Sequence, residues 1–317
     1  MKRLLVLVAL LAVPAASQAA RLGGTPVALV TAETENRLIA VDLPSGRTIR
    51  TLRMPTGPQN VVTNARFAVV VSPSAGTVTL VGLPRLRVLK ILRGFASPHL
   101  AAIVPQHEIA YVTDDASGRL AVIDLARRRV TRKVFVGLGA HHMAISPDWT
   151  RLWVALGEGA RSIAVLDTRH PGVPRLIGRI DPGGETHDLA FGPKGVRVWV
   201  TYDDRSSIAL FDAASGRRVQ TIAAGSPPQH IAFGPDGRHA YVTSGGDGTL
   251  RIVSLRNLRT VRRLSVAPGS FNVATGGSLV LTSSLTNGML TELDENGRLL
   301  LRKRVAPAAR DVAVAIL

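Results

Sequence analysis

One phrase recurs along this chain at an interval near 42 residues. Its clearest copy is Pro228 to Leu255, PQHIAFGPDGRHAYVTSGGDGTLRIVSL: an apolar run, a Pro-Asp-Gly turn, a Tyr-Val-Thr strand, a Gly/Asp loop and an alternating strand. Aligning the small residue of each run gives Val62, Ala102, Ala144, Ala190, Ala232, Ala274 and Ala313, with spacings of 40, 42, 46, 42, 42 and 39. That period fits a four-stranded propeller blade and is too long for most leucine-rich units. Period-2 alternation, β-branched runs and frequent Gly and Pro argue against helical repeats.

Each unit reads as four strands. Strand A is the inner run, as in His142–Ser146 or His230–Gly234, followed by a turn at Pro147-Asp148, Pro193-Lys194-Gly195 or Pro235-Asp236-Gly237. Strand B is Tyr111-Val-Thr113, Trp153-Val-Ala155, Trp199-Val-Thr201 or Tyr241-Val-Thr243, and strand D is the outer one, as in Val219–Ile222. Strand C alternates and often ends in Asp, at Asp42, Asp124, Asp167, Asp212 and Asp294. Repeated in this way, these carboxylates are expected to cap turns. The chain enters on a strand-B phrase, Val27 to Thr31, and finishes on a lone strand A, Arg310 to Ile316. Pairing the two completes one more blade and leaves no open edge. The expected fold is all-β: a seven-bladed β-propeller of four-stranded antiparallel blades, its ring closed by the C-terminal strand pairing into the first blade.

The phrases Tyr111-Val-Thr-Asp114 and Tyr241-Val-Thr-Ser244, with the Pro-Asp-Gly turns, resemble YVTN-family β-propeller repeats over nearly the whole chain. That resemblance implies a secreted or cell-surface seven-bladed propeller. More distant relatives it brings in are bacterial lactonases, the haem-binding domain of nitrite reductases and a DNA-binding periplasmic protein. The plain motif weakens in the first, second and seventh blades, and no family catalytic motif carries over.

The first residues have a different character. Lys2 and Arg3 precede the apolar run Leu4 to Val13, Pro14 breaks it, and Ser17-Gln18-Ala19 supplies small residues for cleavage. Residues 1–19 are therefore expected to be a signal peptide, leaving residues 20–317 as a single propeller domain. The mature chain is expected to be exported (periplasmic, cell envelope or extracellular), without a transmembrane segment, and monomeric. Cysteine is absent, which excludes disulfides, thiolate metal sites and covalent haem.

A propeller sorts its loops onto two faces. The segments leading into strand A carry Gln59-Asn60, His99, His141-His142, His187-Asp188, Gln229-His230, Phe271-Asn272 and Arg310-Asp311. Five of the eight histidines thus share one phase of the repeat and are expected to ring the channel mouth. The B-to-C loops of that face add Glu33, Glu35, Asp114, Asp115, Glu158, Asp203, Asp204 and Asp247. The expected ligand-binding residues are Asn60, His99, His141, His142, His187, Asp188, His230, Asn272, Arg310 and Asp311. Converging imidazoles suit a transition metal or acid–base work. No cofactor follows firmly beyond a divalent metal, with His142, His187 and His230 as candidate ligands. The competing reading is that these side chains only join blade to blade.

The formal net charge is +17, and its arginines gather on the outer strands and C-to-D turns. Arg127, Arg128, Arg129, Arg132, Arg217, Arg218, Arg262 and Arg263 are the candidate polyanion-binding rim. Stacking aromatics for single-stranded nucleic acid are missing there, and arginines also guard exposed strands against aggregation. Gly157-Glu-Gly159 and Gly245-Gly-Asp-Gly248 have no helix behind them to cradle phosphate. Trp149, Trp153 and Trp199 read as packing between blades. The first functional expectation is a non-catalytic exported scaffold that binds a protein or small-molecule ligand at the channel mouth. The alternatives are a metal-bearing, lactonase-like hydrolase using His99, His142, His187 and His230, and a polyanion binder using the rim.

Overall fold

The computed structural model describes residues 24–157 and 161–317. The expected signal peptide, residues 1–19, and Glu158 lie outside them. Among the described residues, twenty-eight strands form seven four-stranded antiparallel sheets. Blade 1 joins β1 (Pro26–Ala32), β2 (Arg37–Asp42) and β3 (Thr48–Arg53) to the last strand of the chain, β28 (Asp311–Ile316). Blade 2 is β4 (Asn60–Thr63), β5 (Phe67–Ser72), β6 (Thr77–Gly82) and β7 (Arg87–Leu92). Blade 3 is β8 (Pro98–Val104), β9 (Ile109–Asp114), β10 (Arg119–Asp124) and β11 (Arg129–Phe135). Blade 4 is β12 (Ala140–Ile145), β13 (Arg151–Leu156), β14 (Ser162–Asp167) and β15 (Arg175–Ile180). Blade 5 is β16 (Thr186–Phe191), β17 (Arg197–Tyr202), β18 (Ser207–Asp212) and β19 (Arg218–Ala223). Blade 6 is β20 (Ile231–Phe233), β21 (His239–Ser244), β22 (Thr249–Ser254) and β23 (Thr260–Ser265). Blade 7 is β24 (Ser270–Gly276), β25 (Leu279–Ser284), β26 (Met289–Asp294) and β27 (Leu299–Arg304). The only helical turns among the described residues are Pro73–Ala75 and Pro105–His107, and no helix is long and apolar enough to cross a membrane.

Closure runs through β28, which pairs antiparallel with β1 from Pro26↔Ile316 to Thr31↔Asp311. Four of the seven small residues that set the repeat sit opposite an aromatic strand-B residue: Ala102↔Tyr111, Ala144↔Trp153, Ala190↔Trp199 and Ala232↔Tyr241. Inner strands crowd around the channel, so a small side chain there leaves room for the ring beside it. Apolar side chains gather in seven clusters, each shared by two adjacent blades. Val69 and Val71 of blade 2 meet Val112 and Ile123 of blade 3, for example. Each fully buried Val, Leu or Ile stabilises by about 1.5–3 kcal/mol. The core is therefore a ring of interfaces between neighbouring sheets.

The strand-C aspartates cap turns as expected. Asp42 accepts from the Ser45 amide at 2.9 Å, Asp124 from Arg127 at 2.7 Å and Asp212 from Ser215 at 2.9 Å. Asp167 accepts from the Arg169 amide and Asp294 from Asn296, both at 3.0 Å. Trp153, Trp199 and, at the margin of its cluster, Trp149 pack between blades.

Candidate functional site

The channel-mouth residues are presented by an irregularity in strand A. In β12 the ladder runs Ala140↔Leu156 and then Met143↔Val154, so His141 and His142 together oppose Ala155. In β16, His187 and Asp188 oppose Thr201, and in β8, His99 and Leu100 oppose Thr113. Two residues facing one is a β-bulge, which re-aims side chains that would otherwise alternate across the sheet. Consecutive residues can therefore both reach the mouth. The five histidines accordingly occupy two adjacent positions of the repeat: His99, His141 and His187 at one, His142 and His230 at the next.

The threonine of the Tyr-Val-Thr phrase holds this geometry. Thr201 Oγ1 accepts from the Asp188 amide at 2.9 Å and donates to the Gln229 carbonyl of the next blade at 2.8 Å. Thr113 likewise accepts from Leu100 at 3.1 Å and donates to the His141 carbonyl at 2.6 Å. Thr243 makes the same pair of contacts with His230 and Phe271. A motif residue recognised only as part of a strand turns out to pin the mouth of each following blade.

The cavity enclosed is about 260 Å³, and Asn60, His99, His141, His142, His187, His230, Asn272, Arg310 and Asp311 all line it. Asp188, the tenth expected residue, lies buried beneath two of the rings. His142 Nδ1 is 3.1 Å from Asp188 Oδ1, and His230 Nδ1 is 3.4 Å from Asp188 Oδ2. His187 Nδ1 lies 2.9 Å from Asp203, and His141 Nδ1 lies 2.8 Å from Asp115. Four imidazoles thus have a carboxylate beside Nδ1, at hydrogen-bond geometry for His141 and His142; a carboxylate there favours the tautomer in which Nε2 carries the lone pair. His187 Nε2 is buried and has no hydrogen-bond partner.

Electrostatics keep part of the cluster neutral. Burial lowers the pKa of His142 to about 3, against the opposing effect of its hydrogen bond to Asp188. Burial, then the neighbouring His142 and His141, pushes His99 far below its ordinary value. Burial alone would raise the Asp188 carboxyl; the nearby His230 charge and hydrogen bonds from His142 and His230 hold it well below the carboxylate range. The His187 hydrogen bond, against a smaller effect of burial, lowers Asp203. The result is that His99 and His142 are kept neutral, while Asp188 and Asp203 stay anionic beside the rings.

His142, His187 and His230 each bring one ligand atom within 4.8 Å of the others. Tetrahedral coordination by nitrogen at about 2.0–2.1 Å needs closer donors, so the rings would draw in around an ion. The donor set fits a borderline divalent transition ion: three imidazole nitrogens lining one cavity, with carboxylates beside the rings.

Other expected site residues serve the blade joints. Asp311 Oδ2 accepts from Asn60 Nδ2 at 2.9 Å and from the Val61 amide at 3.0 Å, tying the closing strand to blade 2. Asn60 Oδ1 accepts from the Ala101 amide at 2.9 Å, and Asn272 donates to the Arg310 carbonyl at 2.8 Å. Arg310 lies 3.9 Å from Glu33, which also accepts from Gln59 at 2.7 Å. Of the loop carboxylates expected at the mouth, Asp115 and Asp203 hold histidines and Glu33 holds Gln59 and Arg310. Asp114 instead accepts from the Ala96 and Ser97 amides, Asp204 pairs with Arg205, and Asp247 pairs with Arg251 and Arg263. Gln59, Gln229 and Phe271 also line the cavity. Their place one residue before Asn60, His230 and Asn272 is the signal for them.

The arginine rim lies apart from this site. Arg127, Arg128, Arg129 and Arg132 are exposed on blade 3, Arg217 and Arg218 on blade 5, and Arg262 and Arg263 on blade 6. Arg127 pairs with Asp124 and Arg263 with Asp247, while Arg262 donates to the Asn296 carbonyl.

Comparison with known proteins places the fold in context. A family model described as the choice-of-anchor I domain matches residues 141–270, the stretch carrying His141, His142, His187 and His230. That description differs from the YVTN repeats, a resemblance that rests on the strand-B phrases and the Pro-Asp-Gly turns. A protein of unknown function from Desulfotomaculum acetoxidans is similar in structure, with a TM-score of 0.80 at 16% identity, over 91% of this chain and 98% of that one. Apo AztD from Citrobacter koseri has a TM-score of 0.72 at 14% identity, over 92% of this chain and 98% of that one. Hydrazine synthase from Kuenenia stuttgartiensis has a TM-score of 0.71 at 18% identity, over 82% of this chain and 90% of that one. At these identities the likeness is one of fold. No curated protein matches the chain by sequence.

Proposed function

We propose that this protein is an exported, non-catalytic β-propeller that binds a borderline divalent transition-metal ion, of the zinc or copper kind, at its channel mouth. One observation carries the reading: His142, His187 and His230 each bring a ring nitrogen within 4.8 Å of the others, and the Nδ1 of each lies 2.9–3.4 Å from a carboxylate. A purely structural role does not call for that arrangement. Asn60, Asn272 and Asp311 join blades by bonding to backbone, whereas the imidazole of His187 leaves a buried nitrogen with nothing to bond. Such an orphan is costly unless a ligand meets it. Export follows from the basic, apolar and small-residue segments at residues 1–19.

The test is elemental analysis and calorimetric titration of untagged protein with Zn²⁺, Cu²⁺ and, as a hard-cation control, Mg²⁺. Retention of Zn²⁺ or Cu²⁺ without Mg²⁺, and its loss in His142→Gln, supports the proposal. Wild-type protein that takes up neither ion refutes it.

A further inference from the structure

A second ligand set overlaps the first. His99, His141 and His142 also bring one ligand atom each within 4.8 Å of one another. His142 belongs to both sets and stands midway between them. Its ring centre lies 5.1 Å from His99 and 4.9 Å from His141 on one side, and 5.1 Å from His187 and 4.9 Å from His230 on the other. Its Nδ1 is taken up by Asp188 at 3.1 Å, so it has one nitrogen, and one lone pair, to offer. One lone pair serves one ion.

We infer that the two histidine sets are alternative stations for a single metal ion, with His142 as the ligand common to both, so that the ion exchanges laterally across the mouth. This rests on the metal reading above and adds to it that the site is built for uptake and release.

The stations are unequally braced. His187 and His230 are held by Asp203 and Asp188. On the other side only His141 has a carboxylate, Asp115, and His99 is placed by stacking on His141 with ring centres 3.5 Å apart. Carboxylates on the far side of ligating imidazoles orient the rings and raise their basicity. The His187–His230 station is therefore the tighter one. The His99–His141 station is the looser one and opens to solvent at His141, whose side chain is 31% exposed against 22% for His187 and 17% for His230. An ion leaving the tight station can pass to His141 and His99 while His142 remains bound throughout. Stepwise ligand exchange of this kind lets a buried ion depart without shedding all its ligands at once.

The experiment uses the full mature chain, Zn²⁺ as the probe and a chelator to follow release, with thermal melting to confirm folding. Wild type is expected to saturate at one ion per chain. His99→Gln/His141→Gln is expected to keep one ion and lose the fast phase of release. His187→Gln/His230→Gln is expected to keep one ion at weaker affinity, and His142→Gln to bind none. Two ions on the wild type, or an unchanged release profile in His99→Gln/His141→Gln, overturns the alternating stations while leaving metal binding intact. Absence of any Zn²⁺ on the wild type overturns both.

Discussion

Asp188 Oδ1 stands 3.1 Å from His142 Nδ1, joining blades 4 and 5 beneath the channel mouth. The other oxygen of the same carboxylate faces His230 Nδ1 at 3.4 Å and accepts from the Ile231 amide at 3.1 Å, so one side chain ties three blades. That position explains why Asp188 is buried and charged, and why two imidazoles point their second nitrogens into one space.

Asp188→Asn is expected to keep much of the size and shape of the side chain while losing the anion that orients both rings. Zn²⁺ affinity should fall about 10- to 100-fold, the usual cost of removing a partner behind a metal ligand. Competition with a chromogenic chelator measures it. Unaltered affinity would mean that Asp188 serves only the blade joint.

Acid should weaken the fold through the imidazoles before it does so through the carboxylates. His142 is held neutral down to about pH 3, and His99 is displaced in the same direction. The unfolded chain takes up these protons near pH 6.5, so stability falls as pH drops below about 6.5. Carboxylates held low, such as Asp188, contribute stability that is lost only below about pH 4. Urea denaturation from pH 8 to 4.5 reads the imidazole part. Relative to wild type, His142→Gln should lose about 1.4 kcal/mol per pH unit of that slope. Parallel curves for the two proteins contradict a neutral His142.

Glu292 titrates in the opposite sense. It is buried in β26, at the position held by Ala40, Val122, Val165 and Leu210 in other blades, and burial raises its pKa to about 7. The unfolded carboxyl ionises from about pH 4.5 upward, so stability is lost as pH rises from there through 7. Glu292→Leu should therefore stabilise the protein on the order of 2 kcal/mol at pH 8, with most of that gain gone at pH 4.5. Paired denaturation curves at the two pH values decide it, and an equal effect at both rules out ionisation as the cause.

Ring closure depends on Asp311 as well as on the β28 ladder. Asp311→Ala strands the Val61 amide and the Asn60 side-chain amide in a buried joint. The expected cost is about 2–3 kcal/mol. Hydrogen exchange should show the amides of β28 and β1 opening earlier than those of blades 3 to 5. Uniform loss of protection around the ring would assign the damage to the fold at large.

The sequence by itself determined the number of blades, the four strands in each, the turn role of the closing aspartates and the return of the last strand to the first. All of these are written in local pattern: a 42-residue period, alternation of apolar residues, and Asp or Gly where the chain must bend. It also marked the histidines as a group, because repetition brings equivalent positions to one end of the disc. Which rings meet was left to the tertiary structure. Strict alternation would send His141 and His142 to opposite faces of β12, and only the extra residue of the bulge lets both reach the mouth. Asp188 meets His142 and His230, 46 and 42 residues away along the chain, because seven twisted sheets converge on one axis. Local pattern records which side of a strand a residue takes. The distance between residues on different strands is set by how those sheets pack, and no single repeat contains that information.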